Sequence, residues 1–158
     1  MLVRLTDAEV DFVVVGGVAG GAHGSAYTTL DLDVAYGRTP ENLRVLAALL
    51  RDVHATLRGA PPGLPFQLDE RALAEGGNFT FDTDLGSLDI LAFPSGAPVY
   101  ERLRDDAVEI TIEGRSVRIA SLDHLIAMKE AAGRTKDLLH ASEYRVISDE
   151  LRRPREQE

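Results

Sequence analysis

The chain contains no cysteine and no tryptophan, and none of its apolar runs reaches the roughly 18 residues that a membrane-spanning helix needs. The absence of cysteine excludes disulfide bonds and thiolate metal sites. The N-terminal residues lack a basic segment followed by a long apolar stretch, so the sequence predicts no signal peptide. We therefore expect a cytoplasmic protein with no membrane association.

Positive charge is also scarce. The net charge is −9, and only two of the 17 basic residues are lysines, Lys129 and Lys136. Binding along a nucleic-acid backbone depends on many Lys and Arg contacts with phosphates, so this charge argues against a protein whose whole surface follows such a backbone. A cationic acceptor molecule is easier to attract to this surface.

Strand-like and helix-like patterns follow one another along a chain of single-domain length. Strands are predicted over residues 11–15, 28–36, 79–81, 87–93, 108–112 and 116–119. Helices are predicted over residues 18–22, 40–57, 70–75 and 122–133, and again from 134 onward. We predict one α+β domain over residues 1–152 and a frayed, charged tail over 153–158.

Aspartates interrupt two strands that otherwise look buried. Asp31 and Asp33 alternate with aliphatic residues in the predicted strand 28–36, which places both side chains on one face, about 6.5 to 7 Å apart at the backbone. Asp89 alternates in the same way in the strand 87–93. If the two strands are neighbours, three carboxylates converge and repel one another unless cations compensate them, which favours Mg²⁺ or Mn²⁺. The alternative is a solvated strand face without a ligand.

A pair of glycines, Gly16 and Gly17, separates the predicted strand 11–15 from a short predicted helix. Glycine lets the backbone approach a ligand closely, and the first N–H groups of a helix attract anions. The segment lacks the Gly-Lys-Ser/Thr of a P-loop and the longer helix of a dinucleotide-binding fingerprint. The pattern predicts a phosphate-binding turn that precedes a metal-binding strand, and the alternative is a turn without a ligand.

Short motifs along residues 10–140 resemble those of the DNA polymerase β-like nucleotidyltransferase superfamily. They are Gly16-Gly17, His23-Gly24, Thr29, Asp31-Leu32-Asp33-Val34 and Leu88-Asp89-Ile90. Within that superfamily, the segment 121–129 together with Arg134, Lys136 and Asp137 is similar to the C-terminal motif of AbiEii-like toxins and related bacterial nucleotidyltransferases. The resemblance implies an α+β nucleotidyltransferase fold, with a mixed central β-sheet flanked by helices and with helices at the C-terminus.

The resemblance also implies a metal-dependent enzyme that moves a nucleoside monophosphate from a nucleoside triphosphate (NTP) to an acceptor hydroxyl. Its catalytic residues, which are also the ligands of Mg²⁺ or Mn²⁺, would be Asp31, Asp33 and Asp89. The residues expected to contact the nucleotide are Gly16, Gly17, Ser25, Thr29 and Lys129. The acceptor stays open between an RNA end, a protein hydroxyl and a small molecule, and a toxin–antitoxin component with a cognate antitoxin is one form that the protein can take.

One position departs from the resemblance. Tyr27 stands where relatives with the His-Gly motif often carry an arginine, a candidate triphosphate contact. This favours a second hypothesis, a binding or regulatory protein that keeps the fold and has lost turnover. A third hypothesis, a phosphoester hydrolase with the same metals, has less support because the glycine turn suits a triphosphate. The alternative for Lys129 is an exposed lysine, and the alternative for Arg134, Lys136 and Asp137 is a set of surface ion pairs.

Overall fold

The centre of the computed structural model, which describes residues 1–27 and 29–153, is a seven-stranded β-sheet. Its strands are β1 (Phe12–Val15), β2 (Leu32–Tyr36), β3 (Thr56–Leu57), β4 (Asn78–Thr83), β5 (Gly86–Leu91), β6 (Val108–Ile112) and β7 (Arg115–Ile119). They lie in the order β3-β4-β5-β2-β1-β7-β6. Strand β2 pairs parallel to β5, and β1 pairs parallel to β7, whereas the other neighbours are antiparallel. The predicted mixed sheet is confirmed.

Helices surround this sheet and complete the predicted α+β fold. They are α1 (Leu2–Asp7), α2 (Gly16–Ala22), α3 (Pro40–Asp52), α4 (Glu70–Glu75), α5 (Tyr100–Asp105), α6 (Leu122–Ala132) and α7 (Thr135–Arg152). Helix α2 packs on β1 and β2 and contacts α6, and α6 in turn packs along α7. Two C-terminal helices therefore stand beside the glycine-rich helix that follows the first strand.

Strand β1 lies near the middle of the sheet, and all four of its residues are buried. A strand covered on both faces needs apolar side chains on both, which explains the uninterrupted sequence Phe-Val-Val-Val. Helix α3 adds the buried Leu46 and Leu50 to the core. It begins as predicted, because the Thr39 hydroxyl accepts a hydrogen bond from the Asn42 N–H and Pro40 occupies the first turn.

The prediction that one strand spans 28–36 is wrong at its beginning. Strand β2 begins at Leu32, and Asp31 lies in the bend before it. Leu30 is fully exposed, so no apolar contact holds an extended segment there. The Asp31 N–H bonds to the Thr29 hydroxyl at 3.3 Å instead of joining a β-ladder, and Thr28 lies outside the described residues.

Two predicted helices also have other bounds. Helix α3 ends at Asp52 rather than at Leu57, because His54 adopts a positive φ of 50° and the Ala55 N–H bonds back to the Leu50 carbonyl at 2.9 Å. Helix α2 begins two residues earlier than predicted, since Gly16 and Gly17 form its first turn.

The sequence analysis did not find helices α1 and α5, each of which has six residues. Neither has a side-chain N-cap, so both lack the usual signal for a helix start. Of the predicted tail, residues 154–158 lie outside the described residues. Among the helices of the described part, none combines the length and apolar character that a bilayer crossing requires.

Candidate active site

The centre of the candidate site is a pair of aspartates on adjacent strands. Asp33 of β2 and Asp89 of β5 are register partners in a parallel pair, so both side chains stand on the same face of the sheet. Each residue is half-buried. The condition named in the sequence analysis, that the strands carrying these two aspartates are neighbours, is met.

Asp33 also touches the glycine pair. Residue Gly16 has a φ of +66°, and a Cβ added there would lie 2.2 Å from the Asp33 Oδ2 atom. Any other L-residue at this position would therefore be strained in its backbone and would collide with the carboxylate. The next glycine has a similar steric role, because a Cβ at Gly17 would lie 2.7 Å from the Thr29 methyl group. The glycines thus bring the start of α2 directly against the residues that precede and begin β2.

The electrostatics of the site show that its carboxylates crowd one another. Burial raises the pKa of Asp33 to about 6, with further increases from the charges of Asp89 and Asp31. The pKa of Asp89 is raised as well, first by burial and then by Asp31, against the opposing charge of Arg58. Asp31 is exposed, yet its charge affects both partners. The three aspartates share one electrostatic neighbourhood on the sheet face.

These residues fit a divalent cation in the chemistry of their donors. Carboxylate oxygens are the ligands that Mg²⁺ and Mn²⁺ prefer, and a cation would offset both the burial of these charges and the repulsion that adds to it in raising the two pKa values. Across residues 1–27 and 29–153, however, no three carboxylate or imidazole groups are already gathered closely enough to hold one metal ion. Asp33 and Asp89 are thus already adjacent on the sheet, whereas Asp31 lies in the bend before β2 and would have to come closer to share a cation with them.

A cleft of about 330 Å³ opens beside Asp33 and leads to the C-terminal helices. Lys129 of α6 lines this cleft, and its Nζ lies 2.9 Å from the Oδ1 of Asp137 on α7. Arg134 donates from Nε to the other oxygen at 2.5 Å. Asp137 is only 2% exposed, so the surface ion pair considered in the sequence analysis is in fact a buried carboxylate held by two cations. The Arg134 hydrogen bond, followed by the contact with Lys129, lowers the pKa of Asp137 to about 2.

The structure does not bring Ser25 into this cleft. Its hydroxyl donates to Glu143 of α7 at 2.5 Å, and the other Glu143 oxygen accepts from the Ala26 N–H at 2.9 Å. The next residue, Tyr27, packs its ring against that of His140, with 4.0 Å between the ring centroids. The segment between α2 and β2 is therefore fastened to α7.

The arrangement can be compared with solved structures. No protein-family model and no curated protein sequence matches the chain. The lincosamide antibiotic adenylyltransferase LnuA, in its lincomycin-bound form, aligns with a TM-score of 0.61 at 14% identity, over 92% of this chain and 92% of that one. The antibiotic-resistance factor ANT(2'')-Ia aligns with a TM-score of 0.58 at 18% identity, over 95% of this chain and 80% of that one. An antigenic nucleotidyltransferase-like protein from Paracoccidioides brasiliensis aligns with a TM-score of 0.54 at 14% identity, over 92% and 71%.

The chain has the nucleotidyltransferase fold. At these identities the likeness establishes the architecture, and the chemistry has to be argued from the residues of this chain. Within the nucleotidyltransferase fold seen here, the sheet brings Asp33 and Asp89 together, and α6 brings Lys129 to the same cleft.

Sequence reasoning missed two residues of this neighbourhood. Arg58 lies against Asp89, with 3.1 Å between Nη2 and Oδ1, and Glu143 holds the segment that contains Ser25. Arg58 follows strand β3, which is two residues long and lies where a longer helix was predicted. The one local signal is the spacing of Arg58 from Thr56: residues two positions apart in a strand lie on the same face of a sheet, which here is the face that carries Asp89. Glu143 carries no such signal, because its partner is 118 positions away in the chain.

Proposed function

We propose that this chain is a metal-dependent nucleotidyltransferase, which transfers a nucleoside monophosphate from an NTP to an acceptor hydroxyl. In this reaction a bond forms between the acceptor oxygen and the α-phosphorus, and the bond from that phosphorus to pyrophosphate breaks. The observation that carries the proposal is the pairing of Asp33 with Asp89 beside Gly16, on a sheet face where burial and like charge raise the pKa of both carboxylates.

The aspartates have distinct parts in this proposal. Asp31 and Asp33 would hold Mg²⁺ or Mn²⁺, and Asp89 would complete the ligand set beside the acceptor. When bound, such cations lower the pKa of the acceptor hydroxyl and offset charge on the leaving pyrophosphate. Asp89, whose pKa is raised, accepts the proton that the acceptor hydroxyl releases.

The nucleotide lies, in this proposal, between the glycine turn and α6. The backbone of Gly16 and Gly17 approaches the phosphates. Among residues 1–27 and 29–153, no side chain caps the start of α2, so none of them takes its first N–H groups. Lys129 adds a fixed positive charge from the other wall of the cleft. Thr29 lies against Gly17 on the same side. Ser25 can donate to a phosphate oxygen only after its hydroxyl leaves Glu143.

The acceptor is proposed only as a class, a molecule with a free hydroxyl. One related structure holds adenylyl-2''-tobramycin and another holds lincomycin, so small antibiotics are among the candidates. The resemblance of the α6 segment to AbiEii-like toxins adds RNA ends and protein hydroxyls, with a cognate antitoxin as partner. The test must therefore offer all three kinds of acceptor together.

A direct experiment incubates the protein with each α-labelled NTP and Mg²⁺ or Mn²⁺, in the presence of cellular RNA, cellular protein and a panel of aminoglycosides and lincosamides. We expect the label to appear on one acceptor class, and to disappear with Asp33→Asn. The control is Asp105→Asn, which removes the same charge from an exposed residue of α5. Absence of both transfer and NTP binding would overturn the proposal.

A second function is favoured by one specific contact. Tyr27 packs on His140 of α7, and tyrosine supplies no positive charge for a triphosphate. A protein that binds NTP and a cation without transfer would match this feature. NTP binding in a calorimetric titration, together with no labelled product on any acceptor in the experiment above, would identify such a binding protein.

A further inference from the structure

Arg58 directs its side chain toward Asp89. Its backbone N–H donates to the Thr80 carbonyl at 2.9 Å, which extends the pairing of β3 with β4 by one residue. Thr80 is the register partner of Asp89 in the next strand pair. Because side chains of paired residues stand on the same face of a sheet, the backbone itself places Arg58 in line with Asp89.

The guanidinium group is fixed by three contacts. Nε donates to Asp82 Oδ1 at 3.1 Å, and Nη2 donates to the Phe81 carbonyl at 2.9 Å. The same Nη2 lies 3.1 Å from Asp89 Oδ1. Asp82 and the Phe81 carbonyl thus hold the guanidinium in place, and the guanidinium in turn covers Oδ1 of Asp89.

The environment of Asp89 Oδ1 shows what Arg58 does. Oδ1 of Asp89 is inaccessible to solvent and has no well-directed hydrogen bond within the described part of the chain, so the charge of Arg58 is what compensates it. The Asp89 side chain as a whole is still 20% exposed, and Oδ1 contributes essentially none of that exposure. Arg58 therefore covers Oδ1, and Oδ2 is the carboxylate oxygen that stays open to a ligand.

We propose that Arg58 is a positioning residue that limits Asp89 to a single ligand oxygen, Oδ2, by occupying Oδ1. The inference rests on the function proposed above. Without Arg58, both Asp89 oxygens become available to a cation, which can then chelate them together, and a competing positive charge disappears. The cation binds more tightly, yet chelation by both oxygens draws it toward Asp89 and away from the acceptor hydroxyl that it has to activate. Loss of Arg58 thus has opposite effects on metal binding and on transfer.

The test measures Mn²⁺ affinity without nucleotide, by the electron paramagnetic resonance signal of the free ion, and transfer with labelled NTP. For Arg58→Ala we expect Mn²⁺ affinity to rise about tenfold. We expect kcat to fall at least tenfold while KM for the NTP changes less than about twofold, since the nucleotide lies on the other side of Asp33. Arg58→Lys should bring both values back toward wild type. Arg71→Ala is the control because it removes the same charge from a side chain that is 83% exposed, and both values should stay unchanged.

A merely structural role predicts a different result, because a distorted site weakens metal binding and transfer together. Weaker or unchanged Mn²⁺ affinity in Arg58→Ala, with clear binding by wild type, would overturn the role of Arg58 and leave the proposed function standing. If wild type binds no Mn²⁺ and transfers no label, the proposed function itself fails. Adding Asp89→Asn to Arg58→Ala should abolish the gain in affinity, and a gain that persists would also overturn the inference.

Discussion

Asp33 and Asp137 line the same cleft, yet their pKa values move in opposite directions. Asp137 is buried between Lys129 and Arg134, and these partners lower its pKa to about 2. Asp33 has no hydrogen-bonding partner for its carboxylate within residues 1–27 and 29–153, and burial beside other aspartates raises its pKa to about 6. The charge of Asp137 is balanced by two hydrogen-bonded cations, whereas the charge of Asp33 is only partly offset by Lys129 and Arg58, neither of which bonds to it. The first is typical of a structural ion pair, and the second is typical of a site that acts on an external ligand.

The strongest test of this contrast removes charge at the Asp33 end of the cleft. Asp31→Asn combined with Asp33→Asn should reduce transfer to the background of the assay, because the cations lose their shared ligands. The melting temperature in EDTA should stay level or rise, because the change removes repulsion and the cost of burying a charge. Transfer of labelled NTP and thermal melting give the two readouts. A fall of many degrees would mean that these aspartates are structural.

The same kind of substitution at the other end of the cleft should have the opposite effect on stability. Asp137→Asn leaves Lys129 partly buried without its counter-charge, which should cost about 2 to 4 kcal/mol of unfolding free energy. Urea unfolding at pH 7 measures this loss. The control is Asp123→Asn, which breaks an exposed pair with Arg152 and should cost less than about 1 kcal/mol.

The pH dependence of Asp137 follows from the sign of its shift. Its folded pKa, about 2, lies below the unfolded value of 3.8, so its stabilisation is present above pH 4 and is lost as the pH falls toward 2. The wild-type advantage over Asp137→Asn should therefore shrink across that interval. An advantage that stays constant from pH 5 to pH 2 would contradict the assignment.

Much of the fold was predictable because its signals are local. Thr39 and Ser121 cap their helices through side-chain hydrogen bonds, and Gly133 ends α6 with a positive φ, as residues of these types commonly do. Alternation predicted the two strands 108–112 and 116–119, and the structure joins them as the β6–β7 hairpin through a turn at residues 113–114. Local patterns therefore gave most elements within a few residues of their observed bounds.

The site was predictable only in part, because contacts between residues far apart in the chain have no local sequence signal. The alternation around Asp33 and Asp89 gave the correct face, and the sheet makes them neighbours. Nothing local showed that Asp137 would be buried, since that depends on how α6 packs along α7. Likewise, the position of Arg58 depends on the register of β3 with β4. Residues whose role depends on a distant partner are those that sequence reasoning assigned to the surface or left out.

Lys129 acts on both of the aspartates compared above: it donates a hydrogen bond to Asp137, and its charge lowers the pKa of Asp33. A charge-assisted contact with phosphate contributes about 1.5 to 3 kcal/mol, so Lys129→Ala should weaken NTP binding about tenfold to a hundredfold. Calorimetric titration well below the melting temperature separates this effect from lost stability. Lys136→Ala is the control, since Lys136 is exposed on α7 and should change the affinity less than about threefold. Equal affinities for the two variants would reduce α6 to a scaffold.

The smallest expected effect is the titration of Asp33 itself in the metal-free protein. Its folded pKa, about 6, lies above the unfolded value of 3.8, so the folded state binds the proton first and its stability rises as the pH falls from 7 toward 4. The carboxylate is only half-buried, and solvent screening limits the gain to on the order of 1 kcal/mol. Because other groups titrate in the same range, the quantity to measure is the difference in unfolding free energy between wild type and Asp33→Asn at each pH.

In EDTA this difference should favour Asp33→Asn at pH 7 and should narrow as the pH approaches 4, where the wild-type carboxyl becomes protonated and neutral like the amide. Saturating Mg²⁺ stabilises the ionised carboxylate, so it should reduce or reverse the difference at pH 7 and should have little effect on Asp33→Asn. A difference that is independent of pH, or that grows in favour of Asp33→Asn as the pH falls, would show that Asp33 is compensated within the fold. Asp33 would then be a structural carboxylate like Asp137, and the two aspartates of the cleft would no longer differ in role.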